Sequence, residues 1–193
     1  MVVLTVLGLP VAAVAVCVLA SLRRGTGGWK GWAWRRSLAE VGLVYGTVPF
    51  VWLTLMPGSR AGMVPGRSSL VPLRDLLEMD TGQIVGNLLV FAAVGCFAPL
   101  RFAALASASR VTLLAAGCSV LIETAQYVLR LDRVSSVDDV LLNAAGAWLA
   151  AMASRRWWRA DRFAYAGDMH ARLGSGHARA DRGGRAVSGR GGP

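Results

Sequence analysis

Five long apolar runs constrain this chain more than any other feature. They cover residues 1–22, 38–56, 84–100, 111–129 and 137–153. Each approaches the roughly 20 residues that a helix needs to cross the hydrocarbon core of a bilayer. The first and third hold no charge, the second only Glu40, the fourth only Glu123, and the fifth opens on Asp138 and Asp139. In lipid every backbone polar group must be satisfied within the segment, so apolar runs of this length are helices. The fold expected is therefore all-α, a polytopic transmembrane bundle of about five spans. The third and fifth runs are short and must borrow flanking residues or sit in a thinner region.

Composition agrees. The 193 residues are 54% hydrophobic and 17% charged, whereas a soluble domain is about 25% charged. This excludes an ordinary water-soluble domain and a disordered chain. The net charge of +10 could suggest a nucleic-acid partner. The distribution of that charge argues otherwise. With five alternating spans, sixteen of the 21 Lys and Arg residues fall on one side and five on the other. The basic side is cytoplasmic. The N-terminus is then outside, the C-terminus inside, and segments 57–83 and 130–136 face outward. Trp29, Trp32, Trp34, Trp157 and Trp158 lie in the basic flanks, where tryptophan anchors a helix end at the interface. These flanks favour anionic inner-leaflet lipids, and no nucleic-acid partner is expected.

The first run lacks a basic residue ahead of it and ends at Arg23-Arg24, which reads as an anchor rather than a cleavable signal peptide. The domain layout expected is 1–37 as a first span with a basic cytoplasmic loop, 38–153 as a transmembrane helical domain, and 154–193 as a basic cytoplasmic tail, largely disordered. Cys17, Cys96 and Cys118 sit inside apolar runs without a CxxC pair, and His170 and His177 lie near or in the tail. Neither a disulfide framework, a metal site nor a cofactor is expected.

Ionisable and amide side chains inside spans are costly and mark candidate sites. Glu123 lies well inside the fourth run, and Gln126 follows at i+3 on nearly the same face. Both could serve as interhelical glue or as ligand-binding groups. In the fifth run Ser135 with Asp138, or Ser136 with Asp139, fits a capping box. Asn143 and Gly146 continue a stripe from Asp139. In the third run Asn87, Phe91 and Gly95 form another stripe, and Gly82 with Gly86 gives a GxxxG spacing that permits close helix contact. Asn87, Glu123, Gln126, Arg133, Asp138 and Asp139 all come out at or near the outer face, with Asn143 just below and Arg74 in the other outer segment. An acid deep in a span needs a cation or a proton, so Glu123 is expected to pair with Arg133 or Arg74.

These residues resemble those of the VanZ-like family of bacterial membrane proteins. Ser69-Leu70-Val71-Pro72-Leu73-Arg74 is similar to the family's Asn-Leu-Ile-Pro-Phe-Arg stretch. The segment from Asn87 through Phe91 to Gly95 is similar to its Asn-x3-Phe-x-Pro-x-Gly, with Ala93 in place of proline, a change expected to straighten the third span. Glu123-x2-Gln126 matches its Glu-x2-Gln, and Arg133-x4-Asp138-Asp139-x3-Asn143-x2-Gly146 matches its ending. The likeness covers roughly Ser69 to Ala151, leaving the first run and the tail outside. It implies a polytopic membrane protein of a family named for lowered susceptibility to teicoplanin.

The function expected is binding of a cell-envelope lipid, a lipid-linked wall precursor or a lipoglycopeptide-like amphiphile at the outer leaflet. Arg74 and Arg133 would hold a phosphate or carboxylate, and Asn87, Gln126 and Asn143 would bind sugar or peptide groups. Two other readings stand beside it. One is a membrane-embedded enzyme in which Glu123 and Asp139 are the catalytic acid and base. The other is a non-catalytic assembly or transport partner.

Overall fold

The computed structural model describes residues 2–24 and 30–159. The basic tail beyond 159, including His170 and His177, lies outside the described residues. The chain divides into two units, the first of them running to Arg155. Everything that builds the site lies in the first.

Helices occupy all five apolar runs. They are α1 (Val2–Arg24), α2 (Lys30–Thr54), α3 (Thr81–Val90), α4 (Ala92–Arg101), α5 (Ala108–Val128) and α6 over 137–159. α2 starts eight residues ahead of its apolar run at Leu38, and α6 continues past Ala153. Among the described residues three stretches are long and apolar enough to cross a membrane: Ala33–Thr54, Thr81–Arg101 and Ala108–Val128.

The third run is not one straight helix. It breaks at Phe91, whose backbone (φ −113°, ψ 11°) leaves the helical region between α3 and α4. The break persists although Ala93 stands where the family has proline, so the missing ring does not straighten this span. Packing maintains it: Phe91 is buried, and the two half-helices are held separately against α6. A Cβ on Gly95 of α4 would lie 2.1 Å from the Ala147 carbonyl oxygen. A Cβ on Gly146 of α6 would lie 1.9 Å from that of Leu88 in α3. Backbones in direct contact need glycine at both places. The Gly82 and Gly86 pair expected to do this does not, since Gly86 has nothing within 4 Å and Gly82 meets only its own helix cap, Asp80. A second close approach had gone unread in the sequence. Gly42 and Gly46 of α2, four residues apart, accept Phe97 and Ala93 of α4.

Around a small apolar core of Val90, Phe91, Val94, Val111 and Ile122, most large apolar side chains lie on the surface. The buried side chains include Ala20, Ala33, Ala39, Ala98, Ala115, Ala147 and Ala151 together with Ser37, Ser119 and Ser154. Leu7, Val11, Val14 and Val18 of α1 and Leu113, Val120, Leu121 and Val128 of α5 point outward. An apolar surface this extensive does not face water. Small residues let helices approach closely, and the large aliphatic ones meet a solvent as apolar as themselves.

The two ends of the bundle differ. At one end Glu40 of α2 gathers arginines from three helices. Arg23 of α1 approaches to 2.5 Å, Arg101 of α4 to 2.6 Å and Arg36 of α2 to 3.6 Å. Arg23 also donates to Ser37 at 2.8 Å. At the other end segments 57–83 and 130–136 meet. They contribute a feature the all-α reading omitted, a two-stranded parallel sheet of β1 (Arg67–Ser69) and β2 (Val134–Ser136), in register Arg67↔Val134 to Ser69↔Ser136. Arg60 and Arg67 both approach Asp132 beside it. Edge-to-edge pairing gives two connecting segments their backbone partners, which matters where little water is available.

Candidate functional site

The site is assembled by the way α5 ends. Leu129 is the last near-helical residue, and Arg130 takes a left-handed conformation at φ 51°. Its N–H bonds to the Tyr127 carbonyl, and that of Leu131 to the Gln126 carbonyl. This is the Schellman pattern, usually made by glycine. It reverses the chain, so β2 runs back along the last turns of α5. There the Ser135 hydroxyl donates to the backbone carbonyl of Glu123 at 2.8 Å, and the Ser136 N–H donates to Glu123 Oε2 at 3.0 Å.

Ser136 then begins α6. Its Oγ accepts the Asp138 N–H at 3.1 Å, an N-cap, and donates to Asp75 Oδ2 at 2.6 Å. Neither Asp138 nor Asp139 closes the expected capping box among the described residues, because each reaches another element. The buried Asp138 carboxylate accepts two backbone N–H groups of the segment before α3, from Leu73 at 2.5 Å and Leu76 at 3.0 Å. Asp139 Oδ1 accepts from Asn87 Nδ2 of α3. The carboxyl group of Asp75 is held below the usual carboxylate range, chiefly by the Ser136 hydroxyl and also by Ser69. Folding therefore favours its ionised form. The tether contributes above the ordinary value of 3.8 and is lost as the pH falls through the lower folded value.

The other residues singled out in the sequence tie helices together. Gln126 Nε2 donates to the Thr54 carbonyl at 2.9 Å. Arg133 donates to the Met56 and Leu53 carbonyls at 3.2 and 3.4 Å. Both thus satisfy the open end of α2, where carbonyls lack helical partners and a cation is favoured. Asn143 Nδ2 donates to Ser119 Oγ of α5 at 2.7 Å, while its Oδ1 is buried with no partner among the described residues. Arg74 is exposed and makes no hydrogen bond or ion pair among the described residues. The expected ion pair from Glu123 to Arg74 or Arg133 is not formed. A backbone N–H, delivered by the chain reversal, takes the place of the cation.

Glu123 also lines a pocket of about 260 Å³ between α5, α6 and the sheet. Leu70, Val120, Tyr127, Val137 and Val140 form its apolar walls, and Ser68, Thr124, Ser135 and Ser136 add hydroxyls. Of the eight ligand-binding candidates, Glu123 alone lines it. Asp138 and Asp139 lie directly after Ser136 and Val137, while Asn87, Gln126, Arg133 and Asn143 do not line it and bond to neighbouring helices. A larger groove of about 440 Å³ lies along α2 from Thr47 to Pro57, with the Thr47 hydroxyl and the Trp52 indole N–H its only polar side-chain groups. Among the described residues no group of three His, Cys, Asp or Glu side chains is arranged to hold a metal ion. Sequence reading passed over Asp75 and Ser119. Ser119 stands at i−4 from Glu123, a spacing that could have placed it on the same face.

A bundle that buries alanine, serine and glycine, turns its leucines and valines outward and gathers carboxylates at one end is a helical membrane protein. The VanZ/LLP1 family model matches residues 8–158, and the chain belongs to that family. The match reaches beyond the stretch from Ser69 to Ala151 and takes in most of α1. Neither a curated protein nor a solved structure gives a significant match.

Proposed function

We propose that the protein is a multi-pass plasma-membrane protein that binds an amphiphile at the outer leaflet. The Arg and Lys distribution supports placing the Glu40 end inside and the sheet end outside. The observation that carries the binding reading is the pocket itself. Apolar walls stand beside one carboxylate and several hydroxyls, the combination that suits a molecule with an apolar chain and a hydrogen-bonding head. A cell-envelope lipid, a lipid-linked wall precursor and a lipoglycopeptide such as teicoplanin all have that form. Arg74 is available for a phosphate or carboxylate on such a head.

Glu123→Gln tests the reading. The amide oxygen can still accept the Ser136 N–H, so the fold is retained while the carboxyl group is removed. The wild-type protein, extracted in native membrane discs, is expected to enrich one lipid class. The variant should bind it up to roughly tenfold more weakly, the worth of one hydrogen bond. Equal lipid profiles for the two proteins, with unchanged surface binding of labelled teicoplanin, would remove the pocket's role.

A further inference from the structure

The segment between β1 and α3 turns most of its aliphatic side chains, all but the half-buried Leu76, away from the protein. Leu70 is 74% exposed and Leu77 88% exposed, and Val71 and Leu73 are exposed between them. Water does not favour such a cluster. Nor can the segment simply fold inward, because its backbone is fixed from beneath. Asp138 holds the N–H groups of Leu73 and Leu76, Ser136 holds Asp75, and Leu73 is kept in the left-handed region at φ 65°. Leucine adopts that conformation only where its surroundings impose it. A buried carboxylate is thus used to present leucines outward, with the exposed Arg74 in their midst. Aliphatic side chains around a guanidinium suit the headgroup zone of a bilayer, where the former reach acyl chains and the latter meets lipid phosphate. The position agrees. The segment leads directly into Thr81–Arg101, a stretch able to cross a membrane, and Leu70 shares the pocket wall with the outward side of α5.

We propose that residues 70–77 form an interfacial loop, which inserts Leu70, Val71, Leu73 and Leu77 into the adjacent bilayer leaflet and sets Arg74 on lipid phosphate. Leu70 makes this inserted loop one lip of the Glu123 pocket. The proposal goes beyond the binding reading and needs no bound amphiphile, so the two can fail separately.

Nitroxide labels test it on the full chain, with the three native cysteines replaced and single cysteines introduced as Val71→Cys, Leu77→Cys or, for reference, Ser59→Cys. The protein is reconstituted in phosphatidylcholine vesicles containing phosphatidylglycerol, and label collisions with oxygen and with a water-soluble nickel chelate are compared. Labels at 71 and 77 should favour oxygen severalfold more than the label at 59, and Arg74→Glu should reduce that preference. Free access of the chelate to 71 and 77 would overturn the proposal. So would dipolar broadening between labels at 77, which would show a second copy covering this face. All three labelled positions are exposed, so a native elution profile in detergent establishes that the variants fold.

Discussion

Gly146→Ala is expected to prevent assembly of the bundle. The added methyl would lie 1.9 Å from the Leu88 carbonyl oxygen, and a helix backbone cannot step aside as a side chain can. α3 would have to leave α6, and with it the Asn87 bond to Asp139. Overpacking against side chains costs about 1–3 kcal/mol, and here the obstacle is main chain, so the loss should exceed about 3 kcal/mol. Gly95→Ala should behave alike, its methyl meeting the Ala147 carbonyl at 2.1 Å. Gly86→Ala provides the contrast. Nothing lies within 4 Å of its Cβ position, so the change should stabilise α3 by about 0.5–1 kcal/mol through helix propensity. Size-exclusion profiles of detergent-solubilised protein after graded heating would rank the three. A Gly146→Ala protein that melts with the wild type would refute the crossing.

The second large effect is expected from Asp138→Ala. It removes the acceptor for two backbone N–H groups and the constraint on Leu73. Hydrogen bonds to a charged group are worth about 1.5–3 kcal/mol each. The freed N–H groups can recruit water at the bundle's end, so a combined loss of roughly 3 kcal/mol is expected. The loss should be local, with faster hydrogen exchange at Leu73 and Leu76 and little change in α2 or α5. Asp138→Asn keeps an acceptor and should lie between. Exchange at Leu73 and Leu76 that matches the wild type would show that the clamp does not hold the segment.

Gly146 also shows where the sequence was legible. The stripe from Asp139 through Asn143 to Gly146 marks a face of α6 that meets protein, and the structure puts all three against α3 or α5. The family motif found the same residues from a different direction. What the spacing could not say is what each one touches. Gly82-x3-Gly86 and Gly42-x3-Gly46 have the same form, yet only the second is a contact. Pattern alone marks a permitted approach, and the facing helix decides whether it is used. Arg133 likewise is the cation expected beside Glu123, yet it caps α2 and forms no ion pair with Glu123.

The sequence by itself determined the helices and their surroundings. Apolar runs of this length, with Glu123 the one charge deep inside them, leave the backbone no satisfactory state in lipid except a helix. It also determined which end of the bundle carries the excess of arginine. Only the tertiary structure decided the company of each polar group: Glu123 with a serine N–H, Asp138 with the Leu73 turn, and Arg133 with the end of α2. Those bonds depend on a chain reversal at Arg130, made without glycine, and on a strained Leu73 that packing must impose. Local sequence carries no periodic trace of either, because both conformations are unfavourable alone and persist only through contacts from distant segments.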